Sequence, residues 1–98
     1  MGKDKLRKFA EVATFENVVQ LEAGYEYKGK WASNFFGNQK PIILELACGK
    51  GEYTVNLAKM FPDINFIGID YKGNRIWRGA KTALEEGIKN LGFLRIQI

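Results

Sequence analysis

The rhythm of apolar and polar positions changes near residue 41, and the change divides the chain. In Gly2–Ala13, Leu6, Phe9, Ala10 and Ala13 recur at helical spacing, while Lys3, Lys5, Arg7 and Lys8 are interleaved with them. That pattern predicts a short amphipathic helix with a basic outer face. Residues 14–29 hold no sustained period and are punctuated by Asn17, Gly24 and Gly29, so an irregular connector is expected. Trp31 and Phe35 are four positions apart, which places both rings on one helical face before Gly37 and Asn38 end the turn. These aromatics read as core rather than as a base-stacking platform.

After Pro41 the pattern becomes that of alternating strands and helices. Ile42, Ile43, Leu44 and Leu46 form an apolar run too short for a helix, as a strand covered on both faces would. From Gly51 to Phe61, Val55, Leu57, Ala58 and Phe61 keep helical periodicity, and Pro62-Asp63 closes the helix. Residues 65–69, NFIGI, predict a second buried strand. Ile76, Ala80, Ala83, Leu84 and Ile88 form the stripe of a second helix over 74–90, and residues 93–98 predict a third strand. Strand, helix, strand, helix, strand is half of a doubly wound, Rossmann-like α/β fold. Right-handed crossovers order its three parallel strands 3-2-1. The expected organisation is a basic helix and aromatic connector over residues 1–40 and the α/β half over 41–98. In a complete sheet of this kind a later strand flanks the first one. Its absence would leave an unpaired apolar edge, so the sequence reads either as a fragment or as a chain whose edge is covered by another chain, a second copy included.

Composition narrows the chemistry. The chain has 98 residues, 46% of them apolar, a formal net charge of +4, no histidine and one cysteine, Cys48. Histidine acid–base chemistry, histidine-ligated metals, an internal disulfide and a multi-cysteine zinc site are all excluded within it. A lone cysteine fits a reducing compartment. No apolar run approaches the ~20 residues of a membrane span, and no apolar segment follows the basic N-terminus as in a signal peptide. A cytoplasmic protein is expected.

Candidate chemistry lies in ELACGKG, residues 45–51, between the first predicted strand and the helix after it. Gly49 and Gly51 permit close approach of a ligand to the backbone, and the helix start offers unpaired N–H groups. Nineteen residues after Gly51, at the end of the second strand, stands Asp70, placed to accept hydrogen bonds from both ribose hydroxyls of a nucleoside. A dinucleotide loop would need a third glycine where Thr54 stands, and the Glu45 charge would repel a pyrophosphate. The glycine spacing before Lys50 is not that of a P-loop. A cofactor with a cationic amine and sulfonium beside a ribose suits these residues better, and S-adenosylmethionine has all three.

The run from Ile42 to Arg95 resembles the bacterial tRNA (guanine-N7-)-methyltransferase family, whose members read LEIGCGKG, then NPDxNFIGIE, then a helix ending in a glutamate–glycine turn before NxxFL. The segment MFPDINFIGID carries the likeness most specifically. The resemblance implies methyl transfer from S-adenosylmethionine to N7 of a guanine in tRNA. It implies that Glu45, Gly49 and Gly51 line the methionine end of the cofactor and that Asp70 holds the ribose. Ala47 replaces the first glycine of the family's loop, Asp70 replaces a glutamate, and Gln97 falls near an aspartate that lies beside the adenine. The family's guanine-binding and catalytic elements lie beyond the third strand, so no catalytic residue is assigned and the chain is expected to supply the cofactor half alone. Lys72, Arg75, Arg78 and Lys81 form a basic series whose last three members recur every three residues on one side of the second helix. They are read either as a solvated face or, with the resemblance, as a track for tRNA phosphates. Competing readings are another methyltransferase of this fold, a non-catalytic nucleotide-binding or assembly module, and a nicotinamide-dependent oxidoreductase, which Thr54 and Glu45 disfavour.

Overall fold

The computed structural model describes residues 2–20, 30–46, 52–70 and 73–96. Helix α1 spans Gly2–Val12 and leads into a short strand, β1, Val18–Gln20. A single π-helical segment, Trp31–Phe36, precedes β2, Ile42–Leu46. Then follow α2 (Glu52–Met60), β3 (Asn65–Asp70), α3 (Gly73–Glu85) and β4 (Leu91–Arg95).

The four strands form one sheet in the order β1-β4-β3-β2, and every pairing is parallel. The predicted β/α alternation and its 3-2-1 order are therefore present in β4, β3 and β2. The structure adds a fourth strand that the sequence pattern did not show. Residues 14–29 were expected to be an irregular connector throughout, yet Val18–Gln20 run parallel to Phe93–Arg95. Three residues are too few to display an alternation. They are held from outside the segment: the Phe93 N–H donates to the Asn17 carbonyl at 2.8 Å, and the buried Asn17 side-chain amide donates to the Ala80 carbonyl at 3.0 Å.

All six residues of β3 are buried, as its apolar run requires. Phe66, Leu91 and Phe93 share one core with Val55 and Ala58 of α2 and Ile76, Ala80 and Ala83 of α3, and Val12 and Val18 join it from the N-terminal side. Alternation puts Ile67 and Gly92 on the opposite side of the sheet. There the π-helical segment closes against β4: a Cβ added at Gly92 would lie 2.6 Å from Phe35 Cε2. Trp31 and Phe35 do share a face, with ring centroids 5.2 Å apart. Half-buried rather than fully buried, they pack on the protein itself.

Helix ends also differ from expectation. The second helix of the α/β half was expected to reach Asn90 and ends at Glu85. Gly87 takes φ +67°, its N–H donates to Leu84 O at 3.3 Å, and Ile88 N–H donates to Ala83 O at 2.9 Å. This paired closure around a left-handed glycine stops the helix although Ile88 continues its apolar stripe. The third strand of that half consequently starts at Leu91, two residues before the expected Phe93. Between them, the Asn90 side-chain amide donates to the carbonyls of Ala58, Phe61 and Ile64 at 2.8–3.1 Å, tying the end of α2 to the start of β4.

β2 is the exposed edge. It pairs with β3 alone among the described strands, and Ile43, Leu44 and Leu46 are 44, 56 and 60% exposed. The sequence run of β2 predicts cover on both faces; among the described residues, Ile43, Leu44 and Leu46 are left exposed.

Candidate cofactor site

In an open parallel sheet, ligands bind beyond the carboxyl ends of the strands. Here those ends bring together β2, β3, β4 and β1. Glu45 lies opposite Gly68, and Asp70 lies opposite Arg95, which in turn lies opposite Gln20. Pairing partners in a parallel ladder share a face, and alternate residues of a strand share a face. Glu45, Gly68, Asp70 and Arg95 are therefore all on the side of the sheet that α2 and α3 cover, together with the core residues Phe66 and Phe93.

Asp70 is only 2% exposed. A carboxylate so placed needs polar partners. Its Oδ2 lies 3.8 Å from Arg75 Nη1 of α3, and its backbone carbonyl accepts from Ile96 N–H at 3.0 Å. Arg95 Nη1 donates to Gln20 Oε1 at 3.1 Å, so the unforeseen strand β1 reaches the rim of the same site. Glu45 is half-buried, one strand away from Asp70. The Thr54 hydroxyl, in the first turns of α2, is fully buried without a hydrogen-bond partner.

Of the sequence-predicted site residues, the structure brings Glu45 and Asp70 to neighbouring strand ends, with Arg75 beside Asp70. Ala47, Gly49, Gly51, Lys72 and Gln97 lie outside the described residues. Arg78 turns to α2, where its Nε is 3.1 Å from Glu52 Oε1, an exposed pair. Lys81 turns the other way, over the indole of Trp77 at 4.8 Å from the ring centroid. The basic series of α3 thus separates into three surroundings. Arg95 and Gln20 went unnoticed in the sequence because only strand pairing puts Arg95 beside Asp70 and Gln20 beside Arg95.

Two carboxylates of different surroundings suit two tasks. A carboxylate accepts from the cis hydroxyls of a ribose, and a second one balances an ammonium or sulfonium charge. The acidic donor set is unsuited to a polyphosphate. Among the described residues, no group of three or more His, Cys, Asp or Glu could hold a metal ion, and no helix is long and apolar enough to cross a membrane. A cavity of about 320 Å³ lined by Asn17, Phe35, Leu84, Ile88 and Leu91 lies at the other, amino end of the strands, away from the carboxylates.

Sheet order, crossovers and the acidic strand ends define a Rossmann-like methyltransferase fold. A family model described as "Putative methyltransferase" matches residues 39–98, and the chain belongs to that family. The chain is 61% identical over 103 residues to a tRNA (guanine-N(7)-)-methyltransferase of Christiangramia forsetii, a match that covers 99% of this chain and 46% of that protein. It is 51% identical to a protein of the same name from Bacteroides thetaiotaomicron, covering 100% of this chain and 41% of that one. The chain therefore spans less than half the length of these curated relatives. Among solved structures, PKMT2 from Rickettsia typhi in complex with AdoHcy superposes with a TM-score of 0.51 at 27% identity, over 60% of this chain and 11% of that one.

Proposed function

We propose that this chain binds S-adenosylmethionine and is the cofactor-binding part of a methyltransferase acting on N7 of a guanine in tRNA. The observation that carries the reading is the buried carboxylate of Asp70 at the end of β3, on the same side of the sheet as Glu45. The names of its relatives supply the substrate class. Bound there, S-adenosylmethionine supplies a methyl group on a sulfonium, already a good leaving group. The work of the protein is to bind and to align. Asp70 accepts from the ribose hydroxyls, with Arg75 beside its carboxylate and the Ile96 N–H holding its backbone carbonyl. Glu45 balances the positive charge of the methionine end. Gly49 and Gly51 are assigned to the methionine end of the cofactor, with Ala47 where the family has its first glycine, and Gln97 to the adenine edge. No residue of this chain is assigned to the guanine.

The full-length protein is expected to transfer labelled methyl groups to guanine N7 in tRNA, whereas the 98-residue chain alone transfers none. Robust transfer by the chain alone would contradict the division of labour. A full-length protein that binds the cofactor but methylates another acceptor would contradict the substrate. Cytoplasmic location follows from a tRNA substrate. We infer further that, when isolated, the 98-residue chain pairs its β2 edge with a second copy. Ile43, Leu44 and Leu46 are exposed there beside the unpaired backbone groups of a strand that has one partner among the described residues.

A further inference from the structure

At the β2 side of the molecule, two neighbouring elements leave apolar side chains in the open. On α2, Glu52 and Lys59 turn to α3, with Glu52 Oε1 3.1 Å from Arg78 Nε and Lys59 Nζ 2.9 Å from Glu86 Oε1. Thr54, Val55 and Ala58 of the same helix are buried. At about 100° per residue, Tyr53, Leu57 and Met60 then fall on the flank turned away from α3, and Phe61 follows at the helix end. Tyr53 and Met60 are 65 and 68% exposed, and Phe61 is exposed as well. Because α3 packs on α1 and β4, the opposite flank of α2 lies toward β2. There Ile43 pairs in register with the core residue Phe66, which puts it on the helix side of the sheet, yet it is exposed.

Single apolar side chains on a surface are ordinary, but a run across a helix flank and the strand beside it marks a contact face. The backbone narrows the occupant further. β2 pairs with β3 alone among the described strands, so the N–H and C=O groups of its outer side call for partners. A lipid surface or a small apolar ligand would meet the side chains and leave those groups unmatched. Another stretch of polypeptide satisfies both. The matches cover 46 and 41% of two curated relatives, so more than half of each relative lies outside the part that this chain represents. A covalently attached segment is present at an effective concentration on the order of millimolar, which favours it over a free second copy.

We propose that, in the full-length protein, the part of the chain outside these 98 residues docks on this face. It adds a strand to the β2 edge and lays apolar side chains against Tyr53, Leu57, Met60 and Phe61. The proposal rests on the reading of this chain as one part of a longer enzyme and deepens it; it does not depend on which acceptor that enzyme methylates. The second copy inferred for the isolated chain uses the same edge when the rest of the protein is missing.

Met60 is the probe. Hydrogen peroxide converts an accessible methionine to its sulfoxide, and burial slows the reaction. Oxidation is followed by mass spectrometry in the full-length protein and in the 98-residue chain, diluted until it sediments as a monomer, with a methionine peptide in each tube as reference. Met60 is expected to react near the reference rate in the 98-residue chain and at least roughly 10-fold more slowly in the full-length protein. Hydrogen exchange at the amides of Ile42–Leu46 is expected to slow at least roughly 10-fold in the same comparison. Tyr53→Lys with Met60→Lys should lower the melting temperature of the full-length protein by roughly 6–20 °C and leave that of the 98-residue chain unchanged, where both side chains already meet water. Equal oxidation and exchange in the two proteins, with methylation of tRNA by the full-length protein intact, overturns the docking and leaves the proposed function standing. Protection in a full-length protein that methylates another acceptor contradicts the proposed function and keeps the docking. Protection that disappears on dilution of the full-length protein assigns the face to a second copy and overturns the proposal. An equal drop in melting temperature in both proteins makes Tyr53 and Met60 part of the 98-residue fold itself and does the same.

Discussion

Asp70 is the residue on which the proposed cofactor site chiefly rests. It occupies a position that is 2% exposed, where an ionised carboxylate is tolerated only with charge and hydrogen-bonding partners. Arg75, in the first turn of α3, is one such partner at 3.8 Å. Gly92 is a residue of the opposite kind, important for what it lacks. Phe35 occupies the place of its Cβ, with Cε2 at 2.6 Å. Gly92→Ala is therefore expected to destabilise the chain by about 1–3 kcal/mol, the usual cost of overpacking. Urea denaturation of the variant measures it. Adding Phe35→Leu to the same chain should recover part of the loss, and equal stability of wild type and Gly92→Ala would show that the π-helical segment is not seated on β4.

At the scale of elements, the parts legible in the sequence are those whose pattern is carried by consecutive residues. The run of β2, the NFIGI strand and the stripe Ile76, Ala80, Ala83 each declare their element, and the spacing from loop to Asp70 places a carboxylate at the end of β3. What was missed depends on partners far away in the chain. β1 is three residues long and exists because β4 pairs with it and because Asn17 reaches Ala80. Arg95 and Gln20 join the site only through that pairing. The end of α3 was overrun because Ile88 fits the helical stripe, while Gly87 in a left-handed conformation ends the helix there. The separation of Arg75, Arg78 and Lys81 was hidden for a similar reason. Their spacing shares a side of the helix, but Asp70, Glu52 and Trp77 draw them apart. At β2, the exposed apolar edge has a direct consequence. The isolated 98-residue chain should show a concentration-dependent sedimentation coefficient, and Leu44→Lys, a charge on a 56% exposed edge position, should shift it toward monomer. Identical monomeric profiles for both chains would remove the inferred pairing.

For the whole molecule, the parallel sheet sets out two surfaces of different character. One lies at the strand ends, where Glu45 and Asp70 are the carboxylates that we propose receive the cofactor. The other lies along α1 and α3, where Lys8 and Lys81 gather around Trp77. The account assigns the chain to binding and leaves the guanine to residues outside it. Its central claim is that the Asp70 end of the sheet is a cofactor site, and a calorimetric titration of the 98-residue chain with S-adenosylhomocysteine tests it most directly. Saturable one-to-one binding is expected, weakened about 10- to 100-fold in Asp70→Asn, as the loss of hydrogen bonds to a charged acceptor implies, while the variant keeps the wild-type melting curve. A folded wild-type chain with no saturable binding, or a folded Asp70→Asn chain that binds as tightly as wild type, would contradict it.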